Sequence, residues 1–199
     1  MLLAFDTSTP AVTVATSDGA AETVVAANRH GELLTPLIQR VAGGRLRDVE
    51  AIVVGVGPGP FTGLRVGIVT AKALSHALGV PAYGVCSLDA LAAPGIAVAT
   101  DARRREVYWA AYDAGGVRTD GPHVTKPADA AVALRANGVT RVAGAGPRLY
   151  PEAFDGFDVA DPEYPDARRL FDAPRRDLTP LYLRRPDAVP PGPPKKVTA

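Results

Sequence analysis

The sequence lacks several features that would narrow its function at once. It has one cysteine, Cys86, in 199 residues, which excludes an internal disulfide and favours a reducing compartment. No apolar run approaches the roughly 20 residues needed to cross a bilayer, and the first residues show neither the basic region nor the cleavage site of a secretory signal. We therefore expect a cytoplasmic protein with no membrane segment.

A strong charge of one sign is also missing. The formal net charge is +1, from 22 Lys and Arg against 21 Asp and Glu, and the two signs are interleaved along the chain. Proteins that bind nucleic acid by themselves usually carry a clustered basic face. The composition therefore does not predict autonomous nucleic-acid binding.

Metal-ligand and nucleophile patterns are absent as well. The histidines His30, His76 and His123 are far apart, and none has a second histidine or an acidic residue four positions later, as a helical ligand pair requires. Cys86 is typical of a small core residue, and Ser8 has no partnered base nearby in sequence. We predict no metal, no cofactor and no catalytic residue.

The hydrophobic pattern of the first half predicts three antiparallel strands followed by helix, strand, helix, strand and helix. The predicted strands are 2–6, 11–16, 21–27, 51–56 and 82–85, and the predicted helices are 32–41, 63–78 and 88–92. Thr62 and Ser87 are expected to cap the second and third helices, and Pro36 fits the first helix only in its first turn. This order is that of a ribonuclease-H-like unit.

The pattern begins again after Pro94. A strand at 96–100 ends at Asp101, a partner strand follows at 106–112, and a helix at 128–137 precedes a strand at 139–143. The repetition predicts a duplicated α/β unit. We expect an N-terminal lobe at 1–95, a smaller degenerate lobe at 96–189 and a disordered, proline-rich tail at 190–199.

Two segments have the composition of phosphate loops. They are the first hairpin, with Asp6, Thr7, Ser8 and Thr9, and the glycine loop at 57–63, with Gly57, Gly59 and Thr62. The hairpin has no glycine between Asp6 and Gly19, and the loop is neither a Walker A motif nor a dinucleotide motif. Two interpretations stay open: an anion site before a helix, or a tight crossover in which Asp6 accepts hydrogen bonds from the turn.

The predicted helix after this loop has one face almost free of side chains. Gly63, Gly67, Ala71 and Ser75 recur every four residues, so another backbone can lie close against them. Glycine at position 67 costs about 1 kcal/mol relative to alanine, so compensating packing is expected. The face either packs inside its own lobe or contacts another subunit, with Arg65, Ile68 and Lys72 beside it.

Taken together, several segments resemble the TsaB family. They read LAFDTST at 3–9, HGELLTP at 30–36, GPGPFTGLRVG at 57–67, AKAL at 71–74, DARRREVY at 101–108 and PLYLRRPDA at 180–188. The likeness covers nearly the whole chain. The glycine loop and the Asp-Ala-Arg-Arg turn are its most specific parts.

The resemblance implies an actin/Hsp70-like, ribonuclease-H-like duplicated fold with two lobes of mixed sheets flanked by helices. It implies a non-catalytic accessory subunit that binds TsaD, with TsaE, in transfer of a threonylcarbamoyl group to the tRNA adenosine next to the anticodon. It also implies a homodimer in the absence of TsaD, pairing through the N-terminal lobe, and contact with tRNA only through the complex. We place the partner contact on the small-residue face, at Gly63, Arg65, Gly67, Ile68, Ala71, Lys72 and Ser75. The alternative is an active ATPase or phosphotransferase that uses Asp6, Asp101 and the glycine loop.

Overall fold

The structure is a computed structural model and describes residues 1–184. The predicted tail at 190–199 therefore lies outside the described residues.

The first sheet contains five strands. The strands are β1 (Leu2–Asp6), β2 (Ala11–Thr16), β3 (Ala21–Val25), β4 (Ala51–Gly55) and β5 (Ala82–Val85), in the spatial order β3-β2-β1-β4-β5. The β1–β2 and β2–β3 pairs are antiparallel, whereas β1–β4 and β4–β5 are parallel.

The second sheet repeats this topology. Its strands are β6 (Ala97–Asp101), β7 (Val107–Tyr112), β8 (Arg118–Thr125), β9 (Arg141–Ala143) and β10 (Asp158–Ala160), in the order β10-β9-β6-β7-β8. The β6–β7 and β7–β8 pairs are antiparallel, and β6–β9 and β9–β10 are parallel. The predicted duplication of a mixed α/β unit is confirmed.

The helices flank these sheets. They are α1 (His30–Ala42), α2 (Phe61–Leu78), α3 (Pro127–Ala136) and the short α4 (Ala145–Leu149), with 3-10 helices at Leu46–Asp48, Asp89–Leu91 and Ala167–Phe171. Helix α1 begins earlier than predicted because the backbone N–H groups of Glu32 and Leu33 both bond to the carbonyl of Arg29. Pro36 therefore lies inside the helix and not in its first turn.

Both predicted side-chain caps are wrong. Pro60 is the residue before α2, and its carbonyl accepts from the N–H of Leu64, so Thr62 is already inside the helix. Ser87 does not cap the following 3-10 helix, because its hydroxyl is bonded to Asp6. The predicted helix at 88–92 is this shorter 3-10 helix, Asp89–Leu91.

Strand β8 is missing from the sequence prediction. It contains Gly121 and Pro122, a pair that is typical of a turn. Proline is tolerated at a sheet edge, where its missing N–H interrupts no ladder, and β8 is the edge strand beside β7.

Each face of the first sheet has its own cover. Apolar residues of α1 and α2, including Leu34, Leu37 and Leu64, pack on one face. Ala167 and Leu170 pack on the other face; they belong to the return segment, which we define as residues 161–184. The sequence prediction assigned this segment to the second lobe, whereas the structure places this part of it against the first sheet.

The return segment also bonds directly to the first sheet and its flanking loop. Arg176 forms an isolated antiparallel bridge with Gly84 in β5, and the N–H of Leu181 donates to the carbonyl of Val56. Among residues 1–184, no helix combines the length and apolar character needed to span a membrane.

Candidate functional site

The turn between β1 and β2 is directed into the protein. Its residues Thr7, Ser8 and Thr9 are all buried. Thr7 Oγ1 donates a hydrogen bond to the carbonyl oxygen of Gly63 at a distance of 2.8 Å. The carbonyl oxygen of Thr9 lies 2.6 Å from Nε2 of His30. These groups bind the turn to the first turns of α2 and α1.

Asp6 stands at the end of β1 and is completely buried. One carboxylate oxygen accepts hydrogen bonds from the backbone N–H and the hydroxyl of Ser8, each at a distance of 2.7 Å. The other oxygen accepts a hydrogen bond from the hydroxyl of Ser87. Ser87 Oγ also accepts from the N–H of Gly57 over 3.0 Å. Burial raises the pKa of Asp6, although the bonds from Ser87 and Ser8 oppose that shift. The carboxylate therefore ties the turn, the glycine loop and the segment after β5 together.

The glycine loop lies directly on the turn. A side chain at Gly59 would overlap the carbonyl oxygen of Ser8, so only glycine permits this approach. Gly57 has a φ of 96°, which glycine adopts without strain. The two backbones are therefore in direct contact at Gly59 and Ser8.

The alternative metal site at Asp6 and Asp101 has no geometric support. One carboxylate oxygen of Asp101 accepts from the backbone N–H of Arg103 over 2.8 Å, and the other lies 3.5 Å from the guanidinium of the same residue. In the part of the chain that the structure describes, no cluster of three or more His, Cys, Asp or Glu side chains could hold a metal ion.

A small cleft opens beside these loops. Its volume is about 240 Å³. The residues that line it include Thr9 of the β1–β2 turn, His30 at the start of α1, Thr62 in α2 and Arg103 of the second lobe. Small-molecule sites usually exceed about 300 Å³. The cleft is therefore smaller than a typical small-molecule site.

The small-residue stripe of α2 packs within its own lobe. Gly63, Gly67 and Ala71 are buried. A side chain at Gly63 would overlap the carbonyl oxygen of Thr7, and a Cβ at Gly67 would lie 2.6 Å from Thr7 Oγ1 and 3.4 Å from a methyl of Val54. The prediction that these three positions contact another subunit is wrong, because the chain itself already covers them.

The remaining predicted interface residues divide between the two sides of the helix. Ile68 is only 3% exposed and belongs to the core, so its predicted contact with a partner is also wrong. Ser75 donates to the carbonyl oxygen of Val80 and closes the end of the helix. Arg65 and Lys72 are exposed on the opposite side.

That opposite side forms a continuous surface, which we call the outer face of α2. Its exposed members are Phe61, Arg65, Val69, Lys72, Ala73 and His76. Val69 is 61% exposed, and Phe61 is 44% exposed although it is aromatic. The guanidinium carbon of Arg65 lies 3.8 Å from the ring centroid of Phe61, whose ring also packs on Tyr182 of the return segment. Exposed apolar groups with a basic rim are typical of a protein-binding surface.

Sequence reasoning missed a polar cluster between the lobes. Asp89, after β5, accepts from the hydroxyl of Tyr112 over 2.7 Å and lies 3.4 Å from the guanidinium of Arg118. The three residues border a cavity of about 680 Å³, whose wall also includes Arg169. They come from separate elements, so no spacing in the sequence could bring them together.

Comparisons with known proteins agree with this architecture. The family model described as "TsaD: tRNA N6-adenosine threonylcarbamoyltransferase" matches residues 9–151. An uncharacterized protein of Mycobacterium tuberculosis is 45% identical over 208 aligned residues, which cover 95% of this chain and 94% of that protein. The Escherichia coli tRNA threonylcarbamoyladenosine biosynthesis protein TsaB is 37% identical over 125 residues, or 56% of this chain and 54% of that protein.

A solved structure is similar over almost the whole chain. YeaZ from Pseudomonas aeruginosa superposes with a TM-score of 0.76 at 30% identity and covers 91% of this chain and 99% of the other. The actin-like duplicated fold expected from the sequence is therefore confirmed.

Proposed function

The chain belongs to the TsaB family, and on that premise we propose that it serves in the biosynthesis of threonylcarbamoyladenosine in tRNA as an accessory subunit without a reaction centre of its own. Its relatives in Escherichia coli and Haemophilus influenzae are named for this biosynthesis. The observation that carries the non-catalytic part is the use of Asp6. Its carboxylate accepts hydrogen bonds from Ser8 and Ser87 in the interior of the protein.

The proposed accessory role is supported by the way in which the turn between β1 and β2 packs against the glycine loop. An enzyme of this fold needs a gap between turn and glycine loop for a phosphate, and a carboxylate that can reach a metal. Here Gly59 is in close contact with the backbone of Ser8, and Asp6 is completely buried. Such a lobe can hold a partner in its active arrangement by binding that state better than others.

We assign the partner contact to the outer face of α2. The proposed partner is TsaD, with TsaE as a further member of the assembly and a homodimer of this chain when TsaD is absent. Val69 and Phe61 supply apolar area at the centre, and Arg65 and Lys72 supply charge at the rim. This combination suits a hot spot surrounded by steering charges. The assembly would work in the cytoplasm.

A charge-insertion pair tests this surface. Val69→Glu places a carboxylate in the centre of the outer face, and we expect the affinity for TsaD of the same organism to fall at least about tenfold, since removing a charge from water at the centre of an interface is costly. Val132→Glu is the matched control, because Val132 is 66% exposed on α3, far from α2 in sequence. Size-exclusion chromatography and calorimetry measure the complex, and a tRNA modification assay measures its activity.

Equal losses for the two variants, or no loss for Val69→Glu, would remove the outer face from the proposal. The alternative, an active ATPase, is tested by calorimetry of the isolated chain with ATP and magnesium. We expect no micromolar binding and no turnover. Turnover would contradict the non-catalytic role, and micromolar binding would favour the alternative.

A further inference from the structure

The loop between β6 and β7 has an unusual backbone. Arg103, Arg104 and Arg105 have φ angles of 60°, 55° and 58°, so three consecutive arginines adopt the left-handed conformation. This conformation brings Cβ close to the following carbonyl and is disfavoured for every residue with a side chain. Glycine or asparagine would fit the loop with less strain, yet the chain carries three long cationic side chains there.

The surrounding residues hold this arginine turn in place. The N–H of Ala102 donates to the carbonyl of Glu106, and the N–H of Glu106 donates to the carbonyl of Arg103. Arg184 of the return segment donates to the carbonyls of Ala102 and Arg103 and forms an ion pair with Glu106. The turn is therefore a fixed structure that is braced from outside the hairpin.

Its charge is concentrated and accessible. Arg103, Arg104 and Arg105 are all exposed. The neighbouring carboxylates interact within the turn. Asp101 accepts from the N–H of Arg103 and lies 3.5 Å from the guanidinium of the same residue, and Glu106 pairs with Arg184.

We propose that the arginine turn, residues 103–105, is a contact site for the sugar–phosphate backbone of RNA. Guanidinium groups bind phosphate oxygens through paired, charge-assisted hydrogen bonds, and arginine is preferred where that geometry matters. Strain that persists in a well-braced turn points to a function for the residues that bear it.

This inference rests on the proposed function for the identity of the RNA, and it goes beyond it. The resemblance to the TsaB family implies that tRNA is reached only through the complex, and the nearly balanced charge of the chain does not predict autonomous nucleic-acid binding. The structure shows that three arginines are nevertheless collected in one turn. That turn would contribute phosphate contacts of its own when tRNA is bound.

A pair of double variants tests the proposal in the full chain alone. Arg104→Asn/Arg105→Asn removes two charges, and asparagine tolerates the left-handed conformation, so the turn is kept. Arg45→Asn/Arg47→Asn removes two exposed charges from the first lobe as a control. The probe is an unmodified tRNA transcript, and fluorescence anisotropy measures its affinity between low and moderate salt.

We expect the slope of log affinity against log salt to become shallower by about one unit for each phosphate-contacting arginine removed, with little change for the control. Thermal unfolding checks that the turn variant remains folded. Arg104→Lys/Arg105→Lys should keep most of the slope.

An unchanged slope in the turn variant, or equal changes in both variants, would overturn the inference. So would the same slope change with polyaspartate as the probe, which would instead indicate an acidic protein surface. Complex formation with TsaD is measured on the same variants. A failure to form this complex would contradict the proposed partner. This result is independent of the measured affinity for RNA.

Discussion

Asp6 is a carboxylate whose hydrogen-bond partners all lie inside the protein. In this chain it accepts three hydrogen bonds from Ser8 and Ser87 and is completely buried. The sequence indicated this role only as one of two interpretations. The missing glycine in the hairpin argued against a phosphate, but nothing in the sequence could show that Ser87, 81 positions away, completes the bonding.

The titration of Asp6 gives a test at the residue scale. Its raised pKa means that the folded state holds the proton more tightly than the unfolded state, whose carboxyl titrates near its ordinary value of 3.8. Any stability gained from that proton is present below about pH 4 and lost as pH rises through the folded-state value. Asp6→Asn should therefore gain free energy of unfolding relative to wild type as pH rises from about 3 to 7.

Urea titrations at several pH values measure this difference. Asp6→Ala is the companion variant, because it leaves the Ser8 and Ser87 donors without an acceptor and should cost about 1–3 kcal/mol. A difference between wild type and Asp6→Asn that stays constant with pH, or moves in favour of wild type, would contradict the expected titration.

At the scale of elements, α2 shows what periodicity can and cannot predict. The spacing of small residues correctly indicated a close approach of backbone to the helix. It could not indicate which neighbour makes that approach, because an internal turn and a second subunit demand the same smooth face. The structure identifies the neighbour as Thr7 of the β1–β2 turn, and the exposed side of the helix is the one with Phe61 and Val69.

Glycine-to-alanine substitutions measure this packing. Gly67→Ala places a Cβ 2.6 Å from Thr7 Oγ1, which is bonded to Gly63 and cannot move without losing that bond. We expect a net loss of about 1–3 kcal/mol despite the better helix propensity of alanine. Gly63→Ala should cost more, because it meets a backbone carbonyl.

Gly31→Ala is the control for these variants. Position 31 lies in the first turn of α1, and a Cβ there would have no neighbour within 4 Å. Alanine should therefore leave stability unchanged or raise it by up to about 1 kcal/mol. Thermal and urea unfolding compare the three variants, and a Gly67→Ala protein as stable as Gly31→Ala would show that the contact with Thr7 is loose.

For the whole molecule, the order of elements was the most predictable property. Alternating strand and helix patterns indicated the unit and its duplication, because the periods of strand and helix differ clearly over long segments. The edges were less predictable. Strand β8 contains a Gly-Pro pair, and β10 has only three residues, too few for a pattern to emerge. The path of the return segment was missed because its few apolar residues show no period.

Leu170 tests whether the return segment is part of the first lobe. It is fully buried in a cluster with Ala4, Val53 and Val85 of the first sheet. Leu170→Ala should lower the free energy of unfolding by about 2–5 kcal/mol. Leu149→Ala, at a position that is 53% exposed, is the control and should change it little. A small loss for Leu170→Ala would mean that the segment only rests on the surface.

The position of the return segment also affects how the protein folds during synthesis. The first sheet is translated early, but Ala167 and Leu170, which close its second face, come after both sheets in the chain. At about 5–20 residues per second, the ribosome takes seconds to deliver them. During that interval the apolar back of the first sheet stays exposed on the nascent chain, where chaperones and aggregation compete for it.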